Sequence, residues 1–183
     1  MSAGLTVIGT ATPPRVSEVR AALRTLVESA DRRRRAPRGS LPGDLPEGAD
    51  NERTWAVIGE LLTDPPSAEE NQRAVDHDQV GRLAVRLAVD KVLCVGSSRS
   101  VRALYQGTVM EGSWGDEARV VDSVGEAIDV LVADPEWSPR PGDTVVVAVP
   151  GLSAETVANR WREQTGHEVT VRPADAGIAG THE

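Results

Sequence analysis

The sequence predicts an α/β fold: a three-layer, Rossmann-like domain with a mainly parallel six-stranded sheet flanked by helices. Three observations predict it. Short β-branched apolar runs alternate with longer segments of helical period. Helix-start signals fall just after several of those runs. Val92-Leu93-Cys94-Val95 is apolar throughout, as a central strand covered on both faces requires. The 183 residues, 39% hydrophobic and 26% charged, suffice for one such domain and leave little room for a second. We assign the domain to residues 1–172 and a flexible tail to residues 173–183.

Leu5 to Ile8 reads as the first strand, and Ser17 can cap a helix that carries Val19, Ala22, Leu23, Leu26 and Val27 on one face. Residues 31–52 read as a mobile loop rich in Arg, Pro and Gly, beginning with the run Arg32 to Arg35. Trp55 to Ile58 is the second strand, and Asp64-Pro65-Pro66 must turn. Ser67 with Glu70 forms a capping box for a helix to about Leu87 that turns Val75, Val80, Leu83 and Leu87 inward. After the strand at Val92, Gly96 ends the run and a helix extends from about Ser98 to Gln106. Arg119 to Val121 is a fourth strand, followed by a second capping box, Ser123 with Glu126. Thr144 to Val149 is the strongest strand, Ser153 and Thr156 open a last helix through Trp161, and Glu168 to Val171 is an edge strand.

Charge and composition exclude several functions. With 20 basic and 28 acidic side chains the net charge is −8, so there is no overall cationic surface for nucleic acid or anionic lipid. The imbalance is uneven: residues 1–38 carry a net +5, and the remainder −13. The single cysteine, Cys94, excludes an internal disulfide and any multi-cysteine metal site. No run approaches the ~20 apolar residues of a membrane span, and the first residues lack the pattern of a signal peptide, so a cytoplasmic location is expected. Lys91 is the only lysine and lies in Val89-Asp90-Lys91-Val92, so the chain holds no Gly-x-x-x-x-Gly-Lys-[Ser/Thr] phosphate loop.

In a parallel sheet, ligands gather beyond the carboxyl ends of the strands. That rule selects Thr10, Thr12 and Arg15 after the first strand, Glu60 after the second, and Ser97, Ser98 and Arg99 after the third. Two hydroxyls and a guanidinium at a helix start suit a phosphate or carboxylate, although the plainer reading is that Gly96 permits the turn and Ser97 or Ser98 caps the helix. Any surviving ligand site is expected to be one anion pocket of Thr10, Thr12 and Arg15 with Ser97, Ser98 and Arg99, since both loops are read as leaving the carboxyl ends of neighbouring strands. Glu60 suits proton or metal work, with a solvated carboxylate as the plainer reading. His77, between Asp76 and Asp78, reads either as a ligand-binding group or as a surface histidine. Cys94 reads as an inert core thiol. No residue is assigned a catalytic or metal-ligating role.

The order of segments resembles the C-terminal domain of the Mur ligase family, in particular its dipeptide-adding branch. That branch has Gly-Asp-Met-x-Glu-Leu-Gly after the second strand and His-x-x-Val-Gly on the next helix. Here Gly59 matches, Glu60 and Leu61 stand for Asp and Met, and His77, Val80 and Gly81 match. Val92 to Gly96, Val124 to Leu131 and Arg140-Pro141-Gly142-Asp143-Thr144-Val145 continue the parallel, which covers about residues 4–165. Two polar clusters of the family are missing. Thr10 to Ser17 lacks the Asp, Tyr and Asn of Asp-x-Tyr-Asn-x-Asn-Pro-x-Ser, and Ala148-Val149-Pro150-Gly151 stands where the family has Lys-Gly-Ser-Arg. The resemblance implies a domain related to ATP-dependent amide-forming ligases of peptidoglycan precursor synthesis, expected to be inactive alone. It implies no cofactor for the isolated chain, but ATP and Mg²⁺ if it is joined to a Mur ligase central domain. The implied partners are that central domain or a complete ligase, with a UDP-muramoyl peptide or an amino acid or dipeptide as ligand. A non-catalytic binding module is the alternative.

Overall fold

A computed structural model describes residues 4–35, 52–66, 69–112 and 116–174. Six strands, β1 (Leu5–Gly9), β2 (Thr54–Ile58), β3 (Lys91–Val95), β4 (Ala118–Val121), β5 (Thr144–Ala148) and β6 (Val169–Pro173), form one sheet in the order β4-β3-β2-β5-β1-β6. All five pairings are parallel. The helices α1 (Val16–Arg35), α2 (Glu70–Arg86), α3 (Arg99–Glu111), α4 (Val124–Ala133) and α5 (Ala154–Thr165) carry the crossovers. Strand residues alternate between the two faces, so the sheet divides the core in two. Ile8, Ile58, Val92, Cys94 and Val146 pack with Val19, Leu23 and Leu26 of α1, Val80 of α2 and Leu104 of α3. Val7, Trp55, Val57, Leu93, Val145 and Val147 pack on the other face with Leu131 of α4 and Val157 and Trp161 of α5.

Buried polar atoms join the elements. Asp143, 1% exposed, accepts from the Trp55 indole N–H at 2.8 Å and from the backbone N–H groups of Arg53 at 2.8 Å and Arg140 at 2.9 Å. This one carboxylate ties the start of β2 to the turn before β5. The Trp161 indole N–H donates to the Pro139 carbonyl at 3.1 Å. The α2–α3 contact depends on two glycines. A Cβ on Gly81 would lie 2.2 Å from the Leu104 carbonyl oxygen, and one on Gly107 would lie 2.3 Å from that of Asp78. Only glycine allows backbones to approach this closely.

The structure differs from the expectation in several places. The helix α1 continues through Arg35, whereas a loop was expected from residue 31. Arginine is a good helix former, positive charge near a helix C-terminus is favourable, and Ala30 is buried on the inward face. The remainder of the expected mobile loop, residues 36–51, lies outside the described residues. Ser17 falls inside α1 rather than at its cap; the first turn is held by Glu18, whose carboxylate accepts from the Arg15 backbone N–H at 3.1 Å. The α2 helix starts at Glu70 after Glu69, which makes no side-chain cap, and Ser67 lies outside the described residues. Val75 is 48% exposed, not inward, because contact with α3 fixes which face of α2 is buried. The α3 helix runs to Glu111 instead of Gln106, with Glu111 held by Arg82 at 3.2 Å and Arg86 at 2.8 Å. Ser98, Ser123 and Ser153 cap α3, α4 and α5 through their hydroxyls. The tail after residue 174 lies outside the described residues. Among the described residues no helix is long and apolar enough to cross a membrane.

Candidate functional site

The rim at the carboxyl ends of the strands carries nearly all the residues selected from the sequence. At its centre β2 is followed by Gly59, whose position is confined: a Cβ there would lie 3.0 Å from Val149 Cγ1 and 3.1 Å from the Val95 carbonyl oxygen. The next residue, Glu60, receives a short hydrogen bond from the Ser98 hydroxyl at the start of α3. Ser98 also accepts from the Val101 backbone N–H at 3.2 Å, so one side chain caps α3 and latches the loops after β2 and β3 together.

His77 lies behind this latch, fully buried. Its Nε2 accepts from the Leu61 backbone N–H at 3.0 Å, and its Nδ1 lies 2.6 Å from the Arg73 carbonyl oxygen. An acceptor at Nε2 and a carbonyl at Nδ1 require the neutral tautomer protonated on Nδ1. Burial accordingly lowers its pKa, against the opposing effects of the Arg73 carbonyl and of the Glu60 and Asp76 carboxylates. The surface position read from the sequence does not hold, and both ring nitrogens are engaged inside the protein. The acids flanking it in sequence misled that reading, since adjacent positions on a helix point in different directions. His77 instead fixes the backbone that carries Glu60.

The loop after β1 is tied to the connection after β2. The Val16 N–H donates to the Leu62 carbonyl at 2.9 Å and the Leu62 N–H to the Pro14 carbonyl at 2.8 Å. Arg15 pairs with Asp64 at 3.2 Å, and the Ser17 hydroxyl donates to the same carboxylate at 3.0 Å. Sequence reasoning missed Asp64, which read only as part of a Pro-containing turn. Thr10 bonds the Val147 carbonyl at 3.3 Å, while Thr12 and Ser97 are exposed. Arg99 faces Glu70 at 4.0 Å, with both side chains largely in solvent.

The expected single anion pocket does not form. β1 and β3 are not neighbours: β2 and β5 lie between them, so the loops carrying Arg15 and Arg99 start about 14 Å apart at the usual strand spacing. Arg15 faces Asp64 and Arg99 faces Glu70, with Glu60 and Glu18 close by, so the rim is not cationic. What the structure brings together is Glu60 with Ser98 and, separately, Arg15 and Ser17 with Asp64. Cys94 is buried within β3, and burial pushes its thiol up to about 12, as an inert core residue should be.

Fold and rim together define a parallel α/β domain whose polar groups collect at the carboxyl ends of its strands and are largely occupied by one another. Comparison with known proteins narrows the class. The chain is 43% identical over 96 residues to the UDP-N-acetylmuramoyl-tripeptide–D-alanyl-D-alanine ligase of Mycobacterium leprae, a match that covers 52% of this chain and 17% of the ligase. It is 40% identical over 103 residues to the ligases of the same name from Mycobacterium bovis and Mycobacterium tuberculosis, covering 19% of each. The chain is thus similar to Mur ligases over half its own length and spans under a fifth of theirs, consistent with a Mur ligase C-terminal domain. No protein-family model matches the chain, and no solved structure matches it.

Proposed function

We propose that the chain acts as a Mur-ligase-like C-terminal domain that binds and positions, and that does not catalyse by itself. The observation that carries this reading is the 43% identity over 96 residues to a complete ligase. The all-parallel fold and the polar rim agree with it. In a ligase that joins an acid to an amine, such a domain closes over the domain that holds nucleotide and helps place the amine, which is catalysis by positioning. The proposed ligands are a UDP-muramoyl peptide and a dipeptide, the kinds named for the relatives, or an amino acid in place of the dipeptide. The proposed partner is a central domain or a complete ligase. Glu60, Ser98, Arg99 and Arg15 are the groups that would face it.

The rim alone does not fit a magnesium nucleotide. Among the described residues no three Asp, Glu, His or Cys side chains converge, and both Glu60 and Asp64 are engaged by protein hydroxyls. ATP and Mg²⁺ therefore belong to this reading only through a partner domain. A second reading, a binding module without catalysis, draws support from the same self-pairing of the rim.

The two readings separate in a titration. Purified chain is titrated with ATP, with a UDP-muramoyl tripeptide and with D-alanyl-D-alanine, first alone and then in the presence of a complete ligase. The domain reading expects muramoyl peptide or dipeptide affinity to appear or strengthen with the partner. Absence of any ligand or ligase binding in either arm would remove both readings.

A further inference from the structure

The opposite end of the sheet holds a feature unrelated to the rim. An open cleft of about 710 Å³ lies at the amino ends of β2, β3 and β4, where Arg53, Lys91, Arg119 and Arg140 surround Trp137. In a chain of net charge −8, four cations have been brought to one place from four segments of sequence.

Two of them are held in position. Lys91 Nζ sits 4.8 Å from the centre of the Trp137 ring and donates to the Asp116 carbonyl at 3.0 Å. The Arg119 guanidinium lies 5.9 Å from the same ring and bonds Asp134 at 2.7 Å. Arg53 stacks 5.1 Å over Trp55, itself edge-on to Trp137 at 6.1 Å. Nearby acids offset two of these charges, Arg119 through Asp134 and Arg53 more loosely through Asp143, and among the described residues leave Lys91 and Arg140 as the cations not paired in this way. Asp143 spends its oxygens on three N–H donors and lies 3.9 Å from Arg53, beyond hydrogen-bonding distance. Asp134 serves Arg119 and the backbone N–H groups of Glu136 and Trp137. Asp116 and Glu136 also line the cleft, but among the described residues no carboxylate hydrogen-bonds Lys91, Arg53 or Arg140. Arg53 Nη2 is buried and has no hydrogen-bond partner among the described residues.

We propose that this cleft binds a small polyanion carrying phosphate or carboxylate groups, with Lys91 and Arg140 as its main donors. Lys91, already fixed by an aromatic face and a backbone carbonyl, loses little freedom on binding, and the exposed Arg140 is free to turn toward the bound group, which favours such a ligand. The same contacts cover the Trp137 ring, which is itself buried, so it offers no face for a stacked base.

Inorganic pyrophosphate and citrate serve as separate probes, titrated into the full chain at constant ionic strength and followed by calorimetry, with tryptophan emission as a second signal. Saturable binding of at least one probe at or below about 1 mM is expected, and the better probe shows whether phosphate or carboxylate is preferred. Arg140→Gln and Lys91→Gln should each weaken it about tenfold, the worth of one charge-assisted hydrogen bond. Arg160→Gln, on the exposed side of α5, should leave it unchanged. Failure of both probes to bind, or equal binding by the wild type and both cleft variants, would overturn the proposal.

Discussion

His77 shows how far one side chain's environment can depart from what its neighbours in sequence suggest. Because burial holds its pKa below 6.5 in the folded state, the unfolded chain takes up this proton first as pH falls. Its contribution to stability is therefore fully present above the unfolded value near 6.5 and is lost as pH falls from there through the lower folded value. Urea midpoints of the wild type should drop between pH 7 and pH 5.5. His77→Gln should be less stable at pH 7 and show a smaller drop across the same interval; an equal drop in both proteins would contradict the buried, neutral state of His77. At the same scale, Cys94 should resist thiol reagents in the folded protein and react only at the rate of unfolding, since both its burial and its thiol held near 12 suppress the thiolate. Rapid native-state labelling would contradict the buried position. The burial of Cys94 was legible, because its neighbours in the strand are apolar. The hydrogen bonds of His77 were not, because its partners, Leu61 and Arg73, act through backbone atoms that sequence does not distinguish.

Between elements, α2 packs on α3 through glycines, and glycines in two different helices, Gly81 in α2 and Gly125 in α4, yield opposing predictions. An alanine in a helix interior is ordinarily worth about 1 kcal/mol over glycine. At Gly81 the added carbon would meet the Leu104 carbonyl at 2.2 Å, and backbone cannot move aside cheaply. Overpacking wins, and Gly81→Ala should destabilise by about 3 kcal/mol or more. Gly125 in the first turns of α4 has only Ser123 Oγ at 3.9 Å, so Gly125→Ala should be neutral or slightly stabilising. Chemical denaturation of the two variants checks both signs. The strands were legible as apolar runs and the caps of α3, α4 and α5 as serines before helical periods, since both are local signals. The length of α1 and the true start of α2 were not. An arginine run and a capping pair each fit more than one local structure, and tertiary contact decides between them.

For the molecule as a whole, alternation of strands and helices made the parallel α/β class legible, but the order of strands was not. Nothing local says that β5 inserts between β2 and β1, and that insertion is what separates Arg15 from Arg99 and removes the single anion pocket. The same topology gathers Arg53, Lys91, Arg119 and Arg140 at the amino end, a grouping with no trace in sequence spacing. The resemblance to Mur ligases was legible from Gly59, His77, Val80 and Gly81 in order. The structure gives two of these a physical role: His77 anchors the loop of Glu60, and Gly81 admits α3. Such groups preserve a scaffold without supplying chemistry. Acyl phosphate formation from ATP needs charge on the transferring group neutralised by lysine, arginine or magnesium, and loss of one electrostatic donor typically costs 10² to 10³ in rate. The chain has no phosphate loop, and its rim carboxylates and guanidiniums face one another. The most direct test is magnesium-dependent ADP release by the purified chain supplied with ATP, a UDP-muramoyl tripeptide and D-alanyl-D-alanine. The positioning-domain account predicts release at the background rate, whatever the protein concentration. Release that scales with the chain's concentration and is lost in Glu60→Gln or Arg15→Gln would contradict it.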